Sequence, residues 1–110
     1  MNDVFICLFL GGEDEVIRLC IRKNGIQMNG HAGYTGPDGV DRVCSAVSAL
    51  TCAMINALSD LCGDRIRADT GSGKTVVEWE DLSDGGKLLV DAWFLGLVDI
   101  DRKYNCIEFQ

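Results

Sequence analysis

The sequence predicts an α+β fold, a two-layer sandwich with two helices on one face of a mostly antiparallel sheet. Three observations carry that prediction. Short apolar runs, one of them strictly alternating, are bounded by glycine-rich turns in both halves of the chain. Residues 41–63 place apolar side chains at intervals of three and four, the period of a helix buried along one stripe. A second helical stretch and a short final run follow, so the order reads ββαββα plus a short terminal strand.

Residues 4–10 and 16–22 read as strands separated by Gly11-Gly12-Glu13-Asp14. In the second run Ile17, Leu19 and Ile21 alternate with Arg18, Cys20 and Arg22, as in a strand with one buried face. Lys23-Asn24-Gly25 is a hairpin turn signal leading into a short strand over 26–29. Either turn could close the main hairpin. Residues 30–39, GHAGYTGPDG, hold four glycines and the only proline, which predicts a mobile loop able to cover a site. Asp41 is then a good N-cap for a long helix with Val43, Val47, Leu50, Met54, Leu58 and Leu61 along its stripe, and Gly63 stops it. Its flank of Ser45, Ala46, Ser48, Ala49, Cys52 and Ala53 is small enough to let another element approach closely. Residues 65–69 and 75–80 form a second hairpin across Thr70-Gly71-Ser72-Gly73. A helix over 84–103 follows, with Leu88, Leu89, Ala92, Leu95 and Val98 inward, and 106–109 is a last strand.

At 110 residues the chain is expected to form one domain, residues 1–110. With 47% hydrophobic and 25% charged residues it can bury a core without a disulfide or metal staple. Its charge of −7, from 17 acidic against 10 basic residues, disfavours nucleic acid as a direct ligand and favours basic partners. The apolar run at 4–10 lacks a preceding basic region and is too short for a signal core or a membrane span. A cytoplasmic protein without membrane attachment is therefore expected, with its six cysteines as thiols. No C-x-x-C pair occurs and there is one histidine, so neither a metal site nor a cofactor is expected.

Gly71-Ser72-Gly73-Lys74-Thr75 has the look of a phosphate-binding loop. Ala68 stands where the full pattern needs glycine, and Val76-Val77-Glu78-Trp79 is strand rather than helix chemistry, so a hairpin turn is predicted. Cys7, Cys20, Cys52, Cys62 and Cys106 read as small buried hydrophobes. Cys44 differs because it sits in the first turn of the long helix, where unpaired N–H groups and the helix dipole favour a thiolate. A base is also needed, and His31 lies thirteen residues upstream at the far end of the glycine-rich loop, which could close to bring the two together. Backbone N–H groups at the helix start, that of Cys44 included, would then serve an oxyanion.

The run Gly30-His31-Ala32-Gly33-Tyr34 followed by Asp41-Arg42-Val43-Cys44-Ser45-Ala46-Val47-Ser48-Ala49-Leu50-Thr51 resembles the signature of the ribosomal-processing cysteine proteases. Val76-Val77-Glu78, Leu88-Leu89-Val90, Leu95-Gly96-Leu97 and Tyr104 extend the resemblance into the C-terminal half. Arg42 departs from the aliphatic residue the family prefers, and the loop before it is one residue longer than usual. The resemblance implies a bacterial cysteine endopeptidase that removes the N-terminal extension of a large-subunit ribosomal protein, number twenty-seven, and works as a homodimer. It implies His31 and Cys44 as the catalytic pair, with Gly30, Asp41 and Ser48 supporting them or touching substrate. A protease predicts that Cys44 is alkylated ahead of the other thiols. The rival reading, a non-catalytic binding module for ribosomal precursors, predicts no such preference. A thiol switch through Cys52 is disfavoured, because two helical turns place it roughly 12 Å away.

Overall fold

The inward alternation of Ile17, Leu19 and Ile21 builds strand β1 (Ile17–Arg22) in the computed structural model, which describes residues 15–71 and 73–110. β1 pairs antiparallel with β2 (Gly25–Gly30) through a two-residue turn at Lys23-Asn24, in the register Arg22↔Gly25 to Ile17↔Gly30. That hairpin was one of the two alternatives open in the sequence; the run at 4–10 lies outside the described residues. β4 (Lys74–Trp79) adds antiparallel to β2, and β3 (Ile66–Gly71) adds antiparallel to β4. β5 (Ile107–Phe109) lies parallel to β1, with the Arg18 guanidinium 3.0 Å from Glu108 across the pair. The sheet order β3-β4-β2-β1-β5 makes β2 the central strand. Gly71 pairs with Lys74 in this hairpin, as predicted, and a strand rather than a helix continues from Lys74.

Helices α1 (Arg42–Asp60) and α2 (Asp84–Tyr104) cover the sheet face that carries Ile17, Leu19, Ile26, Met28, Val77 and Trp79. α1 starts where it does because Asp41 is extended (φ −88°, ψ 101°) and its Oδ1 accepts the Val43 and Cys44 N–H groups at 3.1 and 3.0 Å. It ends at Asp60, a little before the predicted stop; Leu61 caps it, and Gly63 (φ +66°) turns the chain so that Asp64 N–H reaches the Leu58 carbonyl. By length and composition alone α1 could cross a bilayer, but in this fold its buried stripe is committed to the sheet and to α2.

Two corrections concern which residues face inward. On α1, Val43, Val47, Met54 and Leu58 are buried as predicted, but Leu50 is 39% and Leu61 82% exposed. Leu61 has left the helix, and Leu50 sits at the edge of the stripe, so Thr51 is buried in the position expected for an apolar residue. Its hydroxyl donates to the Val47 carbonyl at 2.7 Å and accepts Trp93 Nε1–H at 3.0 Å, so the polar group is satisfied locally. On α2 the buried line is Gly86, Trp93 and Leu97, flanked by half-buried Leu89, Val90, Phe94 and Ile100. Leu88 and Leu95 are instead 70% and 63% exposed, and Ala92 is exposed as well. α2 carries two apolar stripes, and the one holding the large Trp93, with a partner for its N–H, faces the core.

The small flank of α1 is exposed; close approach of the helices comes from Gly96, where a Cβ would lie 3.2 Å from Leu50 Cδ1. The five described cysteines are free. Cys20 and Cys106 are buried and Cys62 is half-buried, whereas Cys52 is exposed, contrary to expectation. Cys7 lies outside the described residues.

Candidate active site

The central strand delivers the first functional group. β2 ends at Gly30, whose φ of +106° is left-handed and where a Cβ would run into the Val16 carbonyl oxygen. Glycine is therefore demanded by the resting structure itself. The chain leaves the sheet there and presents His31, which is exposed, followed by Ala32, which is buried. Ala32 N–H donates to Cys44 Sγ at 3.1 Å, so the residue after the histidine touches the sulfur in the first turn of α1. Ser48, one turn on and exposed, follows on the same helix. Gly30, His31, Cys44 and Ser48 line one cavity of about 270 Å³, together with Ile17, Met28 and Val47 from the core. Asp41 stands outside the lining, as the cap of α1. A more open depression of about 600 Å³ between Arg65, Arg67, Glu78 and Asp81 holds no cysteine, serine or histidine.

The loop over 31–41 is fastened at several points, where the glycine content had predicted mobility. Tyr34 N–H donates to Asp41 Oδ2 at 3.1 Å, and the Tyr34 hydroxyl donates to the Tyr104 carbonyl at 2.5 Å. The two tyrosine rings meet edge to face with centroids 5.2 Å apart. Gly36 N–H donates to the Val40 carbonyl at 2.9 Å, and Thr35 and Asp41 form a bridge. Arg42 pairs with Asp38 at 2.7 Å, which gives this residue a partner within the loop. That guanidinium, with the Val40 N–H behind it, holds the Asp38 carboxyl below its ordinary value.

Electrostatics at the sulfur run against the sequence expectation. Burial pushes the Cys44 thiol above its ordinary value; the Ala32 N–H opposes this, and the hydrogen bond and charge of Asp41 add to it. Burial would likewise raise Asp41, but hydrogen bonds from the Cys44 N–H and thiol and from Tyr34 N–H outweigh it and hold the carboxyl down. The helix start does favour an anion, but its cap carboxylate already occupies that place. Among the described residues no hydrogen bond joins His31 to Cys44. The Cys44 N–H assigned to an oxyanion is taken by Asp41 Oδ1.

These directions fix the pH response. The raised Cys44 value means that its contribution to stability is full below the unfolded thiol value of 9.0 and is lost as pH rises through the folded one. The lowered Asp41 value gives a contribution that is present above 3.8 and is lost as pH falls through the folded value. Asn can cap as Asp does but cannot accept the Tyr34 N–H as well. Asp41→Asn is therefore expected to keep the helix cap, to lower the melting temperature slightly, and to let iodoacetamide alkylate Cys44 faster near pH 8, by about tenfold per unit of thiol pKa lost. Asp41→Ala should instead cost about 1 kcal/mol through loss of the cap. Equal alkylation rates in wild type and Asp41→Asn would show that the carboxylate does not hold the proton on sulfur. In the wild-type resting protein, exposed Cys52 is expected to react before Cys44, reversing the order predicted from sequence.

Sequence reasoning missed Met28 and the start of β4, where Gly73, Lys74 and Thr75 complete the cavity. The available signal was the glycine pair in the second hairpin, which had been assigned to turn geometry alone. Only the pairing of β4 with β2, Asn29↔Lys74 and Met28↔Thr75, brings those residues beside Gly30.

Solved structures with the same fold include the ribosomal processing protease Prp of Staphylococcus aureus with a covalently linked product peptide. It matches with a TM-score of 0.74 and 23% identity, over 86% of this chain and 96% of that one. The same enzyme with a substrate peptide gives 0.70 and 22% over the same shares. A Streptococcus mutans protein gives 0.65 and 25%, over 86% and 92%. No curated protein shows a significant match to the chain. The profile of the family described as cysteine protease Prp matches residues 16–107, from the start of β1 to the first residue of β5, and the chain belongs to that family of cysteine proteases.

Proposed function

We propose that the chain cleaves peptide bonds with Cys44 as nucleophile and His31 as base, and that its substrate is the N-terminal extension of a large-subunit ribosomal protein, number twenty-seven. The observation that carries the assignment is that His31 and Cys44, from different elements, line the same cavity of about 270 Å³. The Cys44 thiol proton passes to the His31 imidazole, and Sγ bonds to the scissile carbonyl carbon. The C–N bond breaks as His31 protonates the leaving amine, and water then hydrolyses the thioester and restores the thiol. Ala32 N–H, already directed at Sγ, is the donor nearest the developing oxyanion, in place of the Cys44 N–H that Asp41 holds. Ser48 lies on the cavity wall where a bound peptide would pass, and Gly30 sets the direction in which His31 leaves the sheet.

The similarity to the Staphylococcus aureus ribosomal processing protease supports the ribosomal substrate, and a charge of −7 suits it, since ribosomal precursors are basic. Family membership leaves the non-catalytic binding module without support. A cytoplasmic homodimer completes the proposal; exposed Leu88 and Leu95 offer apolar surface to a second copy, and sedimentation of the purified protein as a monomer would exclude it. The dyad is tested by incubating wild type and His31→Ala with the ribosomal precursor and weighing the products by mass spectrometry. His31→Ala is expected to lose about 10²–10⁴ in kcat/KM. Cleavage at the wild-type rate would remove His31 from the mechanism.

A further inference from the structure

Among the described glycines, Gly73 is the one whose missing Cβ faces the His31 ring. Its carbonyl accepts the Gly30 N–H at 2.9 Å, which ties it to the residue that precedes His31. A Cβ at Gly73 would lie 2.8 Å from His31 Nε2, closer than real Cβ atoms approach a neighbour, and a tight 3.1 Å from Cε1, so the ring would have to shift. Its φ of +70° is also left-handed. Gly39 and Gly63 have similar φ, +79° and +66°, but a Cβ at either would meet nothing within 4 Å among the described residues. Backbone conformation alone accounts for glycine at those two positions. At Gly73 the imidazole accounts for it as well. His31 is exposed, and the bare backbone of Gly73 lies against the edge of its ring.

We propose that Gly73 is a positioning residue for the His31 imidazole: its missing side chain makes the room in which the ring sits beside the cavity it shares with Cys44. The proposal rests on the reading of His31 as the base, and it gives the glycine-rich turn that looks like a phosphate-binding loop a role in peptide cleavage. A methyl group at Gly73 has to push the ring aside, because the opposing contact is the ring edge while the Gly73 backbone is held by Gly30. Displacement of a base by about 1 Å costs on the order of 10²-fold in the chemical step and leaves binding of the distant parts of the peptide intact.

Gly73→Ala is therefore expected to lower kcat by roughly 10–100-fold with KM little changed. Gly63→Ala carries the same left-handed strain with no neighbour to meet, and should lose melting temperature while keeping wild-type kcat. His31 is the only histidine, so its ring protons give one resolvable pair of NMR signals. They should move in Gly73→Ala and stay in place in Gly63→Ala. A thermal cycle with His31→Ala tests the contact apart from catalysis: Gly73→Ala should lower the melting temperature less in the His31→Ala background, where the clash is gone. Additive melting temperatures with unmoved ring signals would overturn the proposal. A fully active His31→Ala would instead defeat the assignment of the base, and it would do so whatever the thermal cycle gave.

Discussion

Cys44→Ala is expected to abolish peptide cleavage, with kcat falling by about 10⁴-fold or more, because no other described thiol lines the cavity. Alanine also leaves the buried Ala32 N–H without its sulfur acceptor, which costs about 1–3 kcal/mol, so a loss of activity could be confused with a loss of fold. Cys44→Ser separates the two. Its hydroxyl can still accept from Ala32, so the melting temperature should stay near wild type, whereas the serine oxygen, which is not readily ionised, should still fail to cleave. Measuring both variants against the ribosomal precursor decides the matter. A folded Cys44→Ala protein that cleaves at even a tenth of the wild-type rate would mean that the nucleophile lies elsewhere.

The largest expected effect on stability comes from Trp93→Ala. The side chain is buried, and its Nε1–H donates to the equally buried Thr51 hydroxyl, which in turn donates to the Val47 carbonyl. Removal deletes the largest apolar contact between α2 and the core and leaves a cavity beneath it, at a cost of about 3–5 kcal/mol. For a domain of this size that lowers the melting temperature by roughly 15 °C or more. Trp93→Phe keeps most of the volume and loses the hydrogen bond, so it should cost only about 1 kcal/mol beyond the volume change. Equal melting temperatures for Trp93→Ala and Trp93→Phe would show that the bulk of the indole is not what anchors α2.

Elements whose cause is local were readable from residues alone. Asp41 caps α1 by a contact two and three residues away, and Ile17, Leu19 and Ile21 alternate because a strand does so whatever its partner. The order of the sheet was readable as a class but not in its pairings: two turns competed for the first hairpin, and only one lies in the described structure. The inward face of α2 was misjudged because two apolar stripes run along it, and the choice depends on Thr51, 42 residues away from Trp93. His31 and Cys44, singled out as a catalytic pair, one for its uniqueness and one for its place on the helix, line the same cavity. The raised Cys44 value was not readable, because it comes first from burial by the packed fold and then from Asp41, the same residue that builds the helix start. The Tyr34 to Tyr104 contact spans 70 residues and carried no local signal at all.

The parallel pairing of β1 with β5 bears on the order in which a newly made chain can become competent. Residues that face the cavity are all present once Thr75 has been added, yet Ile17, part of the floor, is held by its N–H to the Cys106 carbonyl at 2.7 Å. The partner of Ile17 in β5 is Ile107, about 90 residues later. Closing so long a loop is entropically the most demanding step in forming the sheet, and until it happens one edge of β1 lacks its β5 partner. A nascent chain thus carries both the sulfur and the imidazole well before the floor beneath them is clamped. The clamp on the cavity floor can therefore form only after residues 106 and 107 have been added.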